Sequence, residues 1–134
     1  MKNLNHQKYL SILLWLITAH SIFVGIGLIL FPPSIIYYLG LQGYEENFFQ
    51  YQGGVFHFAM CIAYGMAAYD TKRSHKIIQF IILVKFIAFI FLIIYFIFIF
   101  QSWVILMSAI ADGIMGALVL VLFKAYLSND INKE

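Results

Sequence analysis

IIQFIILVKFIAFIFLIIYFIFIF, residues Ile77–Phe100, decides the fold class. At about 1.5 Å per residue, a helix of this length covers the roughly 30 Å of a bilayer's hydrocarbon core. Almost every position is Ile, Phe, Leu or Val, so the helix has no water-facing stripe. A helix apolar all round belongs in a large protein core or in a membrane. The chain has 134 residues, 63% of them hydrophobic and 10% charged, which leaves too little polar surface for a soluble domain. The mean hydropathy of +0.92 agrees.

Outward from this stretch, three more apolar blocks reach spanning length: Trp103–Tyr126 downstream, and Phe48–Tyr69 and Tyr9–Phe31 upstream. Short connections force neighbours in sequence to run antiparallel. The expected fold is therefore all-α: a single integral membrane domain over residues 1–134, built as an up-down four-helix bundle. The first block follows Lys2 and Lys8 and contains Ala19-His20-Ser21, which resembles a signal cleavage site. Its apolar run is longer than the roughly 7–15 residues of a signal peptide and continues through that site, so it reads as a retained helix.

The net charge of +2 carries no nucleic-acid signal, but its distribution is informative. With four spans drawn, Lys2, Lys8, Lys72, Arg73, Lys76, Lys124 and Lys133 fall on one side. The other side holds Glu45 and Glu46 and no Lys or Arg. The positive-inside rule then puts both termini in the cytoplasm, and a bacterial cytoplasmic membrane is the expected location. The lone cysteine, Cys61, rules out an internal disulfide and reads as a small apolar packing residue.

The first helix is expected to stop at Pro32-Pro33. SIIYYLGL, Ser34–Leu41, is apolar but too short to span. With Tyr37, Tyr38 and Tyr44 it suits a short interfacial segment or an ordinary connection. In the second long helix Gln50, Gly54, His57, Cys61, Tyr64 and Ala68 share one face at helical spacing, the face expected to turn inward. Ala59, Ala63 and Ala67 make a small-residue ridge suited to close packing. The tail from Leu127 is polar and expected to fray.

Lys85 and Asp112 stand inside otherwise apolar spans, where a charge costs at least about 2.5–3.5 kcal/mol. Backbone depth puts His57 and Asp112 about 13–14 Å from the outer end, His20 near mid-membrane, and Lys85 about 12 Å from the cytoplasmic end. Lys85 thus sits roughly 4–9 Å below Asp112 along the axis. This favours an Asp112–His57–His20 cluster with Lys85 beneath it and leaves open whether Lys85 pairs with Asp112. Gln50 and Gln52 lie above, and Tyr64 nearby, as orienting hydrogen-bond groups.

Such a set admits several functions. Asp112 and the two histidines can bind a lipophilic molecule with a polar head, a quinone or a lipid, or hold and pass protons. The same charges can act only as glue in an assembly subunit. A proton-linked transporter would need oligomerisation, since four helices are few for a carrier. Two histidines and a carboxylate match the composition of a non-haem iron triad, and His20 with His57 that of a haem site. No local spacing motif supports either, so no metal is expected. Nucleophile elbows, phosphate loops and zinc motifs are absent from the sequence, and whether the protein is an enzyme stays open.

GIGLILFPP (Gly25–Pro33), YYLGL (Tyr37–Leu41) and QGGVFHF (Gln52–Phe58) resemble the corresponding parts of the DoxX-like group of small four-helix membrane proteins. The resemblance spans most of the chain. It implies the same fold and topology and, because some members accompany quinone-linked sulfur oxidation, a quinone and a membrane redox complex. It brings no catalytic motif and no residue roles. Expected partners are the bilayer, a lipophilic ligand, and other membrane proteins or further copies of the chain.

Overall fold

A computed structural model describes residues 4–38 and 48–131. They form four long helices and one short one: α1 (Leu4–Leu30), α2 (Pro33–Tyr38), α3 (Phe48–Tyr69), α4 (His75–Phe98) and α5 (Trp103–Ile131). Tyr44, Glu45 and Glu46 lie outside the described residues. So does the end of the interfacial segment, of which α2 is the described part.

Local chemistry sets the boundaries. Pro32 and Pro33 end α1 and start α2, where Pro33 occupies a first-turn position that needs no N–H. At the end of α4 the amides of Ile99 and Phe100 both donate to the Tyr95 carbonyl, closing the helix two residues before Phe100. α5 continues past Tyr126 to Ile131, so the segment expected to fray from Leu127 is helical as far as it is described. No Gly or Pro interrupts it, and the Ser128 hydroxyl donates to the Lys124 carbonyl at 3.0 Å.

α1, α4 and α5 are long and apolar enough to cross a membrane. α3 has the length, at 22 residues, but is not among them. Gln50, Gln52, His57 and two adjacent glycines dilute its apolar character. Four spanning blocks were expected; three meet the criterion on their own.

The four long helices close a ring: α1 packs on α3, α3 on α4, α4 on α5, and α5 on α1. The shared core comes from the starts of α1 (Leu10, Leu14, Ile17) and α4 (Ile78, Ile81, Ile82) and the ends of α3 (Tyr64, Ala67, Ala68) and α5 (Val119, Phe123, Tyr126). Starts and ends meeting at one level mean that the helices alternate in direction, an up-down bundle. This core lies at the end that carries the α3–α4 turn.

The α1–α3 seam explains the polar stripe on α3. Ser11 Oγ donates to the Ala68 carbonyl at 2.6 Å, and the Cys61 thiol to the Thr18 carbonyl at 3.6 Å. Ser21 Oγ meets His57 Nδ1 at 2.9 Å, and Gln50 Nε2 donates to the Leu28 carbonyl at 2.7 Å. Steps of 7, 3 and 7 residues along α1 are matched by steps of 7, 4 and 7 back along α3, as antiparallel packing requires. Between the last two pairs the backbones cross at Gly25 and Gly54. A Cβ on Gly54 would stand 2.6 Å from Ile29 Cγ1 and 3.0 Å from the Gly25 carbonyl oxygen. The close seam is therefore built by glycine. Of the expected alanine ridge only Ala67 is buried, whereas Ala59 faces outward.

Candidate functional site: a buried lysine–aspartate pair

α4 and α5 build the site. Lys85 is 4% exposed. Its backbone approaches α5 at Gly116, where an added Cβ would lie 3.1 Å from Lys85 Cβ. Gly116 is one helical turn from Asp112, about 6 Å along the axis. The extended lysine stem covers that distance, and Lys85 Nζ meets Asp112 Oδ1 at 2.6 Å. Lys85 therefore pairs with Asp112, which the sequence left open. The axial offset between the two backbones is real; the side chain spans it, because lysine's charge sits a full turn away from its Cα.

Tyr64 of α3 completes the group. Its ring centroid lies 5.4 Å from Lys85 Nζ, within cation–π range, so the ammonium has a carboxylate on one side and an aromatic face on another. Two polar groups remain open. Among the described residues only Lys85 bonds the Asp112 carboxylate, whose side chain is 19% exposed. The Tyr64 hydroxyl has no described hydrogen-bond partner.

The remaining candidates are distributed differently from the expected cluster. His57 lies within electrostatic reach of Lys85, Asp112 and His20, but its hydrogen bond goes to Ser21. His20 is exposed and forms no described hydrogen bond. Gln50 donates one amide N–H to the Leu28 carbonyl, and Gln52 is exposed. Backbone depth put the histidines level with Asp112 but carries no information about which way each helix face turns. Among the described residues no three His, Cys, Asp or Glu side chains gather as a metal-ligand set.

Ser21, which the sequence places in a cleavage-like tripeptide, is a neighbour of the site: Ser11, Thr18, Ser21, Gly25 and Leu28 recur at helical spacing and form the face that meets α3. Ser21→Ala is expected to cost little, about 0.6 kcal/mol, the average for interhelical polar contacts in membranes. Detergent unfolding measures it, and a loss of several kcal/mol would show that the His57 contact carries more than packing. Compared with protein-family models, curated proteins and solved structures, the chain gives no match.

Proposed function

We propose that this chain is an integral membrane four-helix bundle that binds a lipophilic molecule bearing a hydroxyl or carbonyl head at the Lys85–Asp112–Tyr64 group. The observation that carries this reading is the incompletely satisfied Asp112. A carboxylate held by one ammonium keeps acceptor capacity, and its partial exposure lets a ligand O–H reach it. The Tyr64 hydroxyl supplies a donor for a carbonyl. Quinols and quinones present these groups on an apolar body, and the DoxX-like resemblance favours the same class. The protein then acts as a ligand-binding subunit of a membrane redox complex.

Bilayer integration is supported by the outer surface. Leu16, Phe23, Phe56, Ile62, Ile87, Phe91 and Val121 are all more than half exposed, a pattern that is expensive in water and favourable in lipid. α3 fits the same environment despite its composition. It turns Gln50, His57 and Tyr64 inward and Val55, Phe56, Ile62 and Met66 outward. Four crossings with both termini on the Lys/Arg-rich side satisfy the positive-inside rule, as in a bacterial cytoplasmic membrane.

The direct pairing supports a second reading, an assembly subunit whose charges only neutralise each other. One comparison separates the two. Wild-type protein and the Asp112→Asn variant are reconstituted with a short-chain ubiquinone or its quinol, and binding is read by quenching of Trp fluorescence. Asparagine keeps the shape and an acceptor for Lys85 but removes the negative charge. The ligand reading expects the quinol affinity to fall about tenfold or more, the cost of weakening one charge-assisted hydrogen bond. Equal binding by both proteins, or none by either, leaves the assembly reading.

A further inference from the structure

On the far side from the ion pair's α5 partner, α3 and α4 line a groove of about 400 Å³ that is open on its outer side. Ala59, Ile62 and Ala63 line one wall, Ile77 and Phe80 the other, and Lys76 stands at the end nearest the turn. The two alanines are short, so the wall recedes where larger side chains would close it. The volume falls in the range of ligand pockets, roughly 300–1,000 Å³. From Met66 to Ala59 the groove follows α3 for about 10 Å.

Its charged end is predominantly basic: Lys72, Arg73 and Lys76 stand against Asp70. Lys72 and Lys76 are exposed and form no ion pair among the described residues. Arg73 reaches Asp70 only at 3.7 Å and is 91% exposed. The start of α4 lies here too, with no acidic residue in its first turn. Ser74 gives its hydroxyl to the Met66 carbonyl at 3.4 Å instead of capping the helix. The positive end of the helix dipole is thus left uncompensated beside two free lysines.

We infer that the α3–α4 groove is a binding site for one anionic phospholipid, its phosphate on Lys76 and Lys72 and one acyl chain along Ala59, Ala63 and Phe80. The occupant follows from charge complementarity and from continuity. The apolar channel begins where the basic cluster ends, which is the order of groups in a lipid. A soluble anion has no use for the channel, and an apolar helix has none for the lysines. The site rests on the proposed bilayer location of the bundle but not on the Lys85–Asp112 ligand site.

The test uses the full chain in nanodiscs of equimolar phosphatidylglycerol and phosphatidylcholine, followed by native mass spectrometry of the released protein. Wild type is expected to retain phosphatidylglycerol in preference to phosphatidylcholine. Lys76→Gln should lower that preference about fivefold, the share of one basic residue near a membrane surface. Ala59→Phe, at an outward-facing position, should fill the channel and abolish retention of both lipids with every charge in place. Lys85→Met/Asp112→Leu should retain the lipid as wild type does. Equal retention of the two lipids by wild type, or unchanged preference in Lys76→Gln, overturns the site. Displacement of the lipid by soluble glycerol phosphate also overturns it, since the channel then contributes nothing. Failure of the chain to enter nanodiscs at all is a different result and counts against the bilayer location itself.

Discussion

Asp112→Leu alone is expected to destabilise the bundle by about 3–5 kcal/mol, whereas Lys85→Met/Asp112→Leu together should be close to neutral. The motivating observation is that Lys85 is 4% exposed and has one carboxylate partner. Removing the carboxylate leaves an ammonium with only the Tyr64 ring, worth about 2 kcal/mol when desolvated, against a buried charge. Removing both charges removes the desolvation cost as well as the attraction, and Met and Leu approximate the length and branching of the side chains they replace. Lys85→Met alone should fall between, because the abandoned Asp112 is 19% exposed and so is less desolvated than Lys85. Titration with a denaturing detergent, followed by far-UV circular dichroism, gives the four corners of the cycle. If the double variant is as unstable as Asp112→Leu, the pair is not an isolated unit and the account of the site is wrong.

Gly54→Val is expected to cost about 1–3 kcal/mol through overpacking. The new Cβ falls 2.6 Å from Ile29 Cγ1 and 3.0 Å from the Gly25 carbonyl oxygen. Ile29 is branched at Cβ, so its Cγ1 cannot swing clear as the tip of a long chain does, and the Gly25 oxygen is backbone. The helices must therefore separate, which also lengthens the Ser21–His57 and Gln50–Leu28 contacts on either side of the crossing. Gly53→Ala is the control. Its Cβ would meet only Leu28 Cδ1, at 3.5 Å, an ordinary contact. The same unfolding titration compares the two, and equal stability of Gly54→Val and wild type would show that the α1–α3 crossing is looser than its geometry implies.

Much of this could be read from residue order. Twenty or more apolar residues in succession specify a helix of membrane length whatever surrounds it, so Ile77–Phe100 and Trp103–Tyr126 were legible within a few residues. The inward face of α3 was legible too, because polar residues at helical spacing in an apolar helix must turn to one side, and Gln50, His57 and Cys61 all face α1. The count of spans was harder. Averaged along its length α3 is too polar, and its apolar outer face appears only once its two faces are separated.

The candidate site divides along the same line. A lysine and an aspartate inside apolar helices announce themselves, and their backbone depths follow from a fixed rise per residue. Which charge meets which depends on how the helices are rotated and how closely they approach, and neither is written in axial position. Gly116 lets α4 come near enough for the Lys85 stem to reach back one turn to Asp112. Helix rotation sends His57 to Ser21 and leaves His20 outside. The chain's order determined the helices, their lengths and their buried charges, because these depend on local hydrophobicity alone. The tertiary structure decided the partners, because a side chain's reach and direction have meaning only against a neighbouring helix.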